Sequence, residues 1–288
     1  MTTTDTKRAA VGASSGRAVT VDGVSLAYDD EGAGSAVVCL HAVGHGAGDV
    51  AALGRRLHAR HRVVALDWPG QGASGPDREP PRAARYATLL EGALDALGIR
   101  QAVLVGNSIG AATAIRFAHA RPDRVTGLVL ANPGGLDVPD RLARGVVGAM
   151  VRFFAAGERG TAWFPTAFAV HYRLVLQRSP AAAQRARIVA AGMEIAPVLR
   201  AAWEGFGAPD ADVRAHVAAL TCPVLFAWAV RDAFVQLGRA LPSIRRVAHA
   251  RLVRFPAGHA PQLETPEAFA GEVEGFLARE VASPARVA

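Results

Sequence analysis

Lysine is all but missing from this 288-residue chain: Lys7 stands alone among 32 basic residues, the rest being arginine. The arginines are scattered among 25 acidic residues, with no block of five or more like charges. The net charge of +7 therefore lacks the clustered footprint that nucleic-acid binding needs. Cysteine occurs only twice, too few for a disulfide framework or a four-cysteine zinc site. No apolar run reaches the roughly 18 residues of a membrane span. Residues 1–17 (MTTTDTKRAAVGASSGR) lack the apolar run of a secretory leader and read as a disordered tail. No G-x-G-x-x-G turn follows the first strand and no phosphate loop is present, so no nucleotide cofactor is expected. His58, His61 and His249 stand at no metal-ligand spacing from an acid or thiol, and no metal is expected either.

What is present is apolar bulk, 51% of the residues, enough for a large core. The expectation is a cytoplasmic globular protein whose partner is a small-molecule substrate, not a nucleic acid or a membrane. Ala18–Val21 and Ser25–Tyr28 flank Asp22-Gly23, a hairpin signal. Apolar runs then recur at Ala36–Leu40, Arg62–Leu66, Gln101–Val105, Val125–Ala131, Pro223–Ala229 and Ala250–Phe255. Such continuous runs suit strands buried on both faces. Helical patterns fall at 82–97, 109–120, 233–241 and 265–280. The order predicts an α/β fold with a mostly parallel central sheet of about eight strands and helices on both faces.

One stretch breaks the alternation. Residues 137–220 hold helical patterns only, punctuated by Gly157, Pro165, Pro180, Pro197 and Pro209. They carry eight of the 18 aromatic residues. The predicted organisation is a core of 18–136 and 221–282, with 137–220 as a helical cap inserted between the sixth and seventh strands. Aromatics there serve the cap's own interior, an apolar pocket beneath it, or both. An enclosed, mainly hydrophobic cavity is expected, with His45, Phe153, Phe154, Trp203 and Ala260 as candidate lining residues. Cys39 and Cys222 read as small core hydrophobes.

The strongest motif is Gly106-Asn107-Ser108-Ile109-Gly110, a G-x-S-x-G between an apolar strand and an Ala-rich helix. A turn that tight leaves no room for side chains two residues either side of the serine. It presents the hydroxyl at the sheet edge and aims the first helical N–H groups at the same place. A serine needs a base. His259, in the turn Phe255-Pro-Ala-Gly-His-Ala-Pro after the last strand, is the candidate. Asp232, two residues beyond Ala229-Val230, is the candidate acid at the carboxyl edge. The chain order is serine, acid, histidine.

With these motifs the chain resembles the α/β-hydrolases, over about residues 18–280. Asp67-Trp-Pro-Gly-Gln-Gly-Ala-Ser74 resembles that family's D-x-P-G-x-G-x-S turn, and Arg121-Pro-Asp-Arg-Val125 its P-x-R-V link. His41-Ala-Val-Gly-His-Gly46 resembles its His-Gly oxyanion loop, with Ala42 in place of the usual glycine. The resemblance implies an oxyanion hole from the backbone N–H of Val43 and Ile109, and a structural His41. It leaves Asp137 as a rival to Asp232, since some members place the acid after the sixth strand. It argues against branches with an aspartate nucleophile. The reading that follows is a serine hydrolase cleaving an ester-like bond of an apolar small molecule through an acyl-enzyme. Three alternatives stand: C–C bond cleavage, another non-hydrolytic reaction on a specialised metabolite, or ligand binding without turnover. Gly-Asn-Ser resembles the C–C bond hydrolases of aromatic-compound degradation, which usually carry a bulky residue where this chain has Ala260.

Overall fold

A computed structural model describes residues 16–137 and 139–281. Most of the expected tail, residues 1–15, lies outside the described residues; Arg17, placed in that tail, already belongs to the first strand.

The strands are β1 (Arg17–Val21), β2 (Val24–Glu31), β3 (Ser35–Leu40), β4 (His61–Leu66), β5 (Ala102–Asn107), β6 (Val125–Ala131), β7 (Val224–Ala229) and β8 (Ala250–Phe255). They form one eight-stranded sheet in the order β1-β2-β4-β3-β5-β6-β7-β8. β1 and β2 close a hairpin through Asp22 (φ 49°) and Gly23 (φ 76°), the paired left-handed turn that matches strand twist. β2 also runs antiparallel to β4, while every pairing from β4 to β8 is parallel.

Alternate residues of the central strands feed two apolar layers. Val38, Leu40, Leu104, Leu128 and Phe226 face one side, against Leu89 and Leu90 of α2 (Ala83–Ala96) and Ile115 of α3 (Ile109–Ala120). Val37, Cys39, Val103, Val129 and Leu225 face the other. There they meet Leu53 and Leu57 of α1 (Ala51–Leu57), together with Phe269 and Val273 from the C-terminal helix. β3 lies between β4 and β5, so the chain leaves it first to one side and later returns to the other. The carboxyl ends of β3 and β5 thus flank the crevice where open α/β sheets place their sites.

Between β6 and β7 the described residues are helical: α4 (Arg141–Glu158), α5 (Phe164–Val175), α6 (Ala182–Ala190), α7 (Gly192–Phe206) and α8 (Arg214–Ala218). Two expected breaks fall inside helices, Gly157 near the end of α4 and Pro197 within α7. α7 survives its proline because Ile195, Ala196, Leu199 and Ala202 are buried along one face, and packing outweighs the lost backbone bond. Gly157 and Gly192 are close-approach sites, where a Cβ would press on the rings of Phe164 and Phe168.

Two other helices differ from expectation. The one after β7 is α9 (Leu237–Ile244), four residues later than predicted, because the amides of Phe234 and Val235 are drawn to Asp232 Oδ1 at 2.8 and 3.1 Å. A short α10 (Pro261–Glu264) that was not expected precedes the pattern at 265–280, which becomes α11 (Pro266–Phe276) and a wider turn at Leu277–Val281. Pro266 cannot donate a backbone hydrogen bond, so the helix restarts there. Among the described residues no helix is long and apolar enough to cross a membrane.

Candidate active site

β5 ends at Asn107 and α3 begins at Ile109, so Ser108 alone makes the turn, at φ 55° and ψ −116°. A non-glycine residue held there costs about 1–3 kcal/mol, which its surroundings must offset. Ser108 N–H donates to Ala131 O at 2.9 Å, and its carbonyl accepts from Ala112 at 3.0 Å. The flanking glycines have steric causes. A Cβ on Gly106 would sit 2.6 Å from Ala111 Cα, and one on Gly110 would strike the carbonyl of Leu40 at the end of β3. Asn107, between the first glycine and the serine, is a tie. Its Nδ2 donates to Ala131 O and to His259 O, both at 3.1 Å, and its Oδ1 accepts from Gln262.

His259 Nδ1 donates to Asp232 Oδ2 at 2.6 Å. Asn132, itself in the left-handed region at φ 42°, donates to the same oxygen at 2.7 Å. Oδ1 of Asp232 takes the amides of Phe234 and Val235, so both oxygens are held. Asp137, the rival acid, instead pairs with Arg239 at 2.6 Å. Burial works against a charge on His259, but Asp232 chiefly, then Glu264 and Asp49, outweigh it and raise its pKa above the ordinary value. Among the described residues no hydrogen bond joins Ser108 Oγ to His259.

Glu264 organises the histidine's loop. Fully buried, its Oε1 accepts from the amides of Gly258 (2.8 Å) and His259 (3.1 Å), and its Oε2 from Gln177 (2.8 Å) and Arg178 (3.1 Å) just beyond α5. His259 N–H also reaches Val175 O, the last residue of α5, at 2.9 Å. One carboxylate thus joins the histidine's turn to the helical segment.

The loop after β3 is braced from the Asp67–Ser74 turn. Asp67 accepts from Ala47 and Ala73 at 2.7 and 2.9 Å, and burial lifts its pKa to about 6. Gln71 Oε1 takes the Gly44 amide at 2.6 Å. His41 donates from Nδ1 to Ala42 O and accepts Trp68 N–H at Nε2, and burial lowers its pKa to about 4, so it is neutral and structural. The left-handed residue of the loop is Gly44 (φ 80°), not Ala42, which explains why alanine fits where glycine is usual. The Gly44 and His45 amides have acceptors, whereas none is found for Val43 N–H among the described residues.

Phe153, Phe154 and Trp203 join one aromatic cluster with Phe164, Phe168, Phe206 and Phe234. Phe154 is interior to it, at 1% exposure, while Phe153 and Trp203 are half-buried. Ala260 is fully buried. Cys39 and Cys222 are free thiols, pushed up by burial to about 12 and about 11. Sequence reasoning did not single out His171, one helical turn before Val175 on α5. Its ring meets Phe153 and Phe234 at 5.7 and 5.6 Å, and burial, then the neighbouring His259, lowers its pKa to about 4. Nor did it single out Asp49, a buried carboxylate 2.6 Å from His45 Nδ1. Both are isolated letters without a motif.

A family model described as "Alpha/beta hydrolase family" matches residues 37–272. A 2-hydroxy-6-oxo-6-phenylhexa-2,4-dienoate hydrolase of Comamonas testosteroni is 40% identical over 114 residues, covering 38% of this chain and 40% of that protein. The hydrolase of the same name from Burkholderia cepacia is 29% identical over 270 residues, covering 87% of this chain and 90% of that protein. Among solved structures, the enol-lactonase from Burkholderia xenovorans LB400 matches with a TM-score of 0.78 at 21% identity, over 91% of this chain and 100% of that one.

Proposed function

The chain belongs to the alpha/beta hydrolase family, and on that premise we propose that it is a serine-nucleophile hydrolase cleaving the carbon–carbon bond beside a ketone in a 2-hydroxy-6-oxo-dienoate type of substrate. The observation that carries this reading is the match to the Burkholderia cepacia dienoate hydrolase along 87% of the chain. It displaces the ester cleavage expected from sequence as the first choice.

Ser108 is the nucleophile, His259 its base and Asp232 the group that fixes the imidazole tautomer and stabilises the imidazolium. Ser108 Oγ adds to the ketone carbon as His259 takes its proton. The oxyanion is received by the N–H groups of Val43 and Ile109. Once the 2-hydroxyl proton of the substrate has moved to carbon 5, carbon 2 is a ketone and carbon 5 is saturated. The bond between carbons 5 and 6 then breaks, and its electron pair passes through the C3=C4 double bond to the oxygen at carbon 2. His259 returns its proton to that fragment. Water, activated by His259, releases the acyl group from Ser108 as a carboxylic acid.

Residues 137–220 serve as a cap on a core made of 18–136 and 221–282. Support comes from Glu264, whose bonds to Gln177 and Arg178 hold the helical segment against the histidine's turn. The cap's half-buried Phe153 and Trp203, with Phe234 and His171, form the apolar wall for the ketone's substituent.

A second reading, hydrolysis of an ester, is favoured by Ala260: the position after the histidine carries a buried methyl group where the resemblance leads one to expect bulk. Steady-state kinetics on 2-hydroxy-6-oxo-6-phenylhexa-2,4-dienoate and on phenyl butyrate separate the two. A kcat/KM at least about tenfold higher for the dienoate, roughly 1.4 kcal/mol in transition-state binding, supports C–C cleavage. The reverse order establishes the ester reading.

A further inference from the structure

His45 and Asp49 form a second histidine–carboxylate couple, one that the proposed reaction leaves idle. His45 Nδ1 lies 2.6 Å from Asp49 Oδ2, and Gln184 Nε2 of α6 donates to Asp49 Oδ1 at 2.7 Å. With both oxygens accepting, Asp49 is a carboxylate and Nδ1 of His45 carries the proton. Nε2 is left as the free end of the ring.

Tyr172 of α5 stands beside it, with ring centroids 6.0 Å apart. A Cβ on Gly44 would lie 2.9 Å from the Tyr172 hydroxyl, so that hydroxyl reaches down to the loop. His45 and Tyr172 are only 1% and 3% exposed. Among the described residues neither His45 Nε2 nor Tyr172 Oη has a hydrogen-bond partner, and neither is fully enclosed by packed atoms. Both polar ends are therefore unpaired within the buried contact between the loop and α5.

This contact adjoins the reaction centre. The loop bearing His45 leaves β3, whose Leu40 lies opposite Gly106 of β5, and the carbonyls of Leu40 and His41 press on Gly110 of the serine turn. Asp49 is near enough to bear on the charge of His259.

We infer that His45, fixed by Asp49, and Tyr172 form a polar subsite that holds a hydroxyl group of the substrate, His45 Nε2 accepting its proton and Tyr172 Oη–H donating to its oxygen. This deepens the function proposed above and rests on its placing the reaction at Ser108; the 2-hydroxyl of an enol substrate is the group such a subsite fits. An unsubstituted or etherified analogue would leave a buried acceptor unpaired, and discrimination against it follows.

The test is calorimetric binding of 3-phenylphenol and of its methyl ether to the full chain, which requires no turnover. The wild type is expected to bind the phenol about tenfold more tightly. His45→Phe should bring the ratio to about one. Tyr172→Phe should weaken both ligands and keep their ratio, since either oxygen can accept. Asp49→Asn, which removes the anchor of the ring, should lower the ratio severalfold and serves if His45→Phe does not fold. A wild-type ratio near one, or an unchanged ratio in a folded His45→Phe or Asp49→Asn protein, overturns the subsite. A wild type that keeps the ratio but leaves the dienoate uncleaved overturns the C–C reading and not the subsite.

Discussion

Asn132 and His259 donate to the same atom, Oδ2 of Asp232, at 2.7 and 2.6 Å. The carboxylate is thus fixed from the β6 side while it fixes the imidazole, and the other acid in contention, Asp137, is spent on Arg239. Asp232→Asn should lower kcat about 10⁴-fold, the scale expected when the tautomer is wrong. Asp137→Asn should change kcat less than about twofold, because it breaks a partly exposed ion pair. Steady-state kinetics of the two variants decide the assignment, and the opposite ranking would transfer the role to Asp137.

The raised pKa of His259 sets the direction of the pH dependence. As a base the imidazole must be neutral, so kcat/KM should rise with pH and level off only above the ordinary histidine value of 6.5. Where the carboxylate is replaced, as in Asp232→Asn, the limb should move to lower pH. The same raised pKa stabilises the fold below the unfolded-state value, and that contribution fades as pH climbs through the folded one. A pH–rate profile of both proteins measures the shift; an unmoved limb would detach Asp232 from the histidine.

Glu264 faces amides on two chain segments. Glu264→Leu abandons buried donors at about 1–3 kcal/mol each, so denaturant unfolding should show a loss of at least about 3 kcal/mol. Glu264→Gln keeps one acceptor and should lose less. A loss below about 1 kcal/mol in the leucine variant would mean that these bonds carry little.

Gly110→Ala sets a methyl group against backbone, the Leu40 carbonyl, with no flexible side chain to give way. A shift of the serine turn by a fraction of an ångström follows, and kcat should fall about 100-fold. Gly238→Ala in α9 meets nothing within 4 Å and should be neutral or slightly stabilising. Parallel assays with thermal melts separate the two effects.

The sheet was legible because its strands are continuous apolar runs, and Val125–Ala131 and Ala250–Phe255 begin and end where the pattern does. The serine turn was legible because close packing leaves glycine at two fixed positions. What escaped notice depends on distant pairings. The start of α9 is set by Asp232 capturing two amides, and nothing in the local pattern of 233–241 reveals it. Asn132, Glu264, Asp49 and His171 act through partners up to 135 residues away, as Gln184 does for Asp49, and no spacing marks them.

The proposal stands most directly on what happens to one bond. Wild type and Ser108→Ala are incubated with 2-hydroxy-6-oxo-6-phenylhexa-2,4-dienoate in oxygen-18 water, and the products are identified by mass spectrometry. The account predicts benzoate carrying one labelled oxygen, together with the five-carbon hydroxydienoate. Both should fall by at least about 10³-fold in rate in the Ser108→Ala protein. Intact dienoate after incubation with a wild type that still hydrolyses phenyl butyrate, or undiminished cleavage by Ser108→Ala, would contradict it.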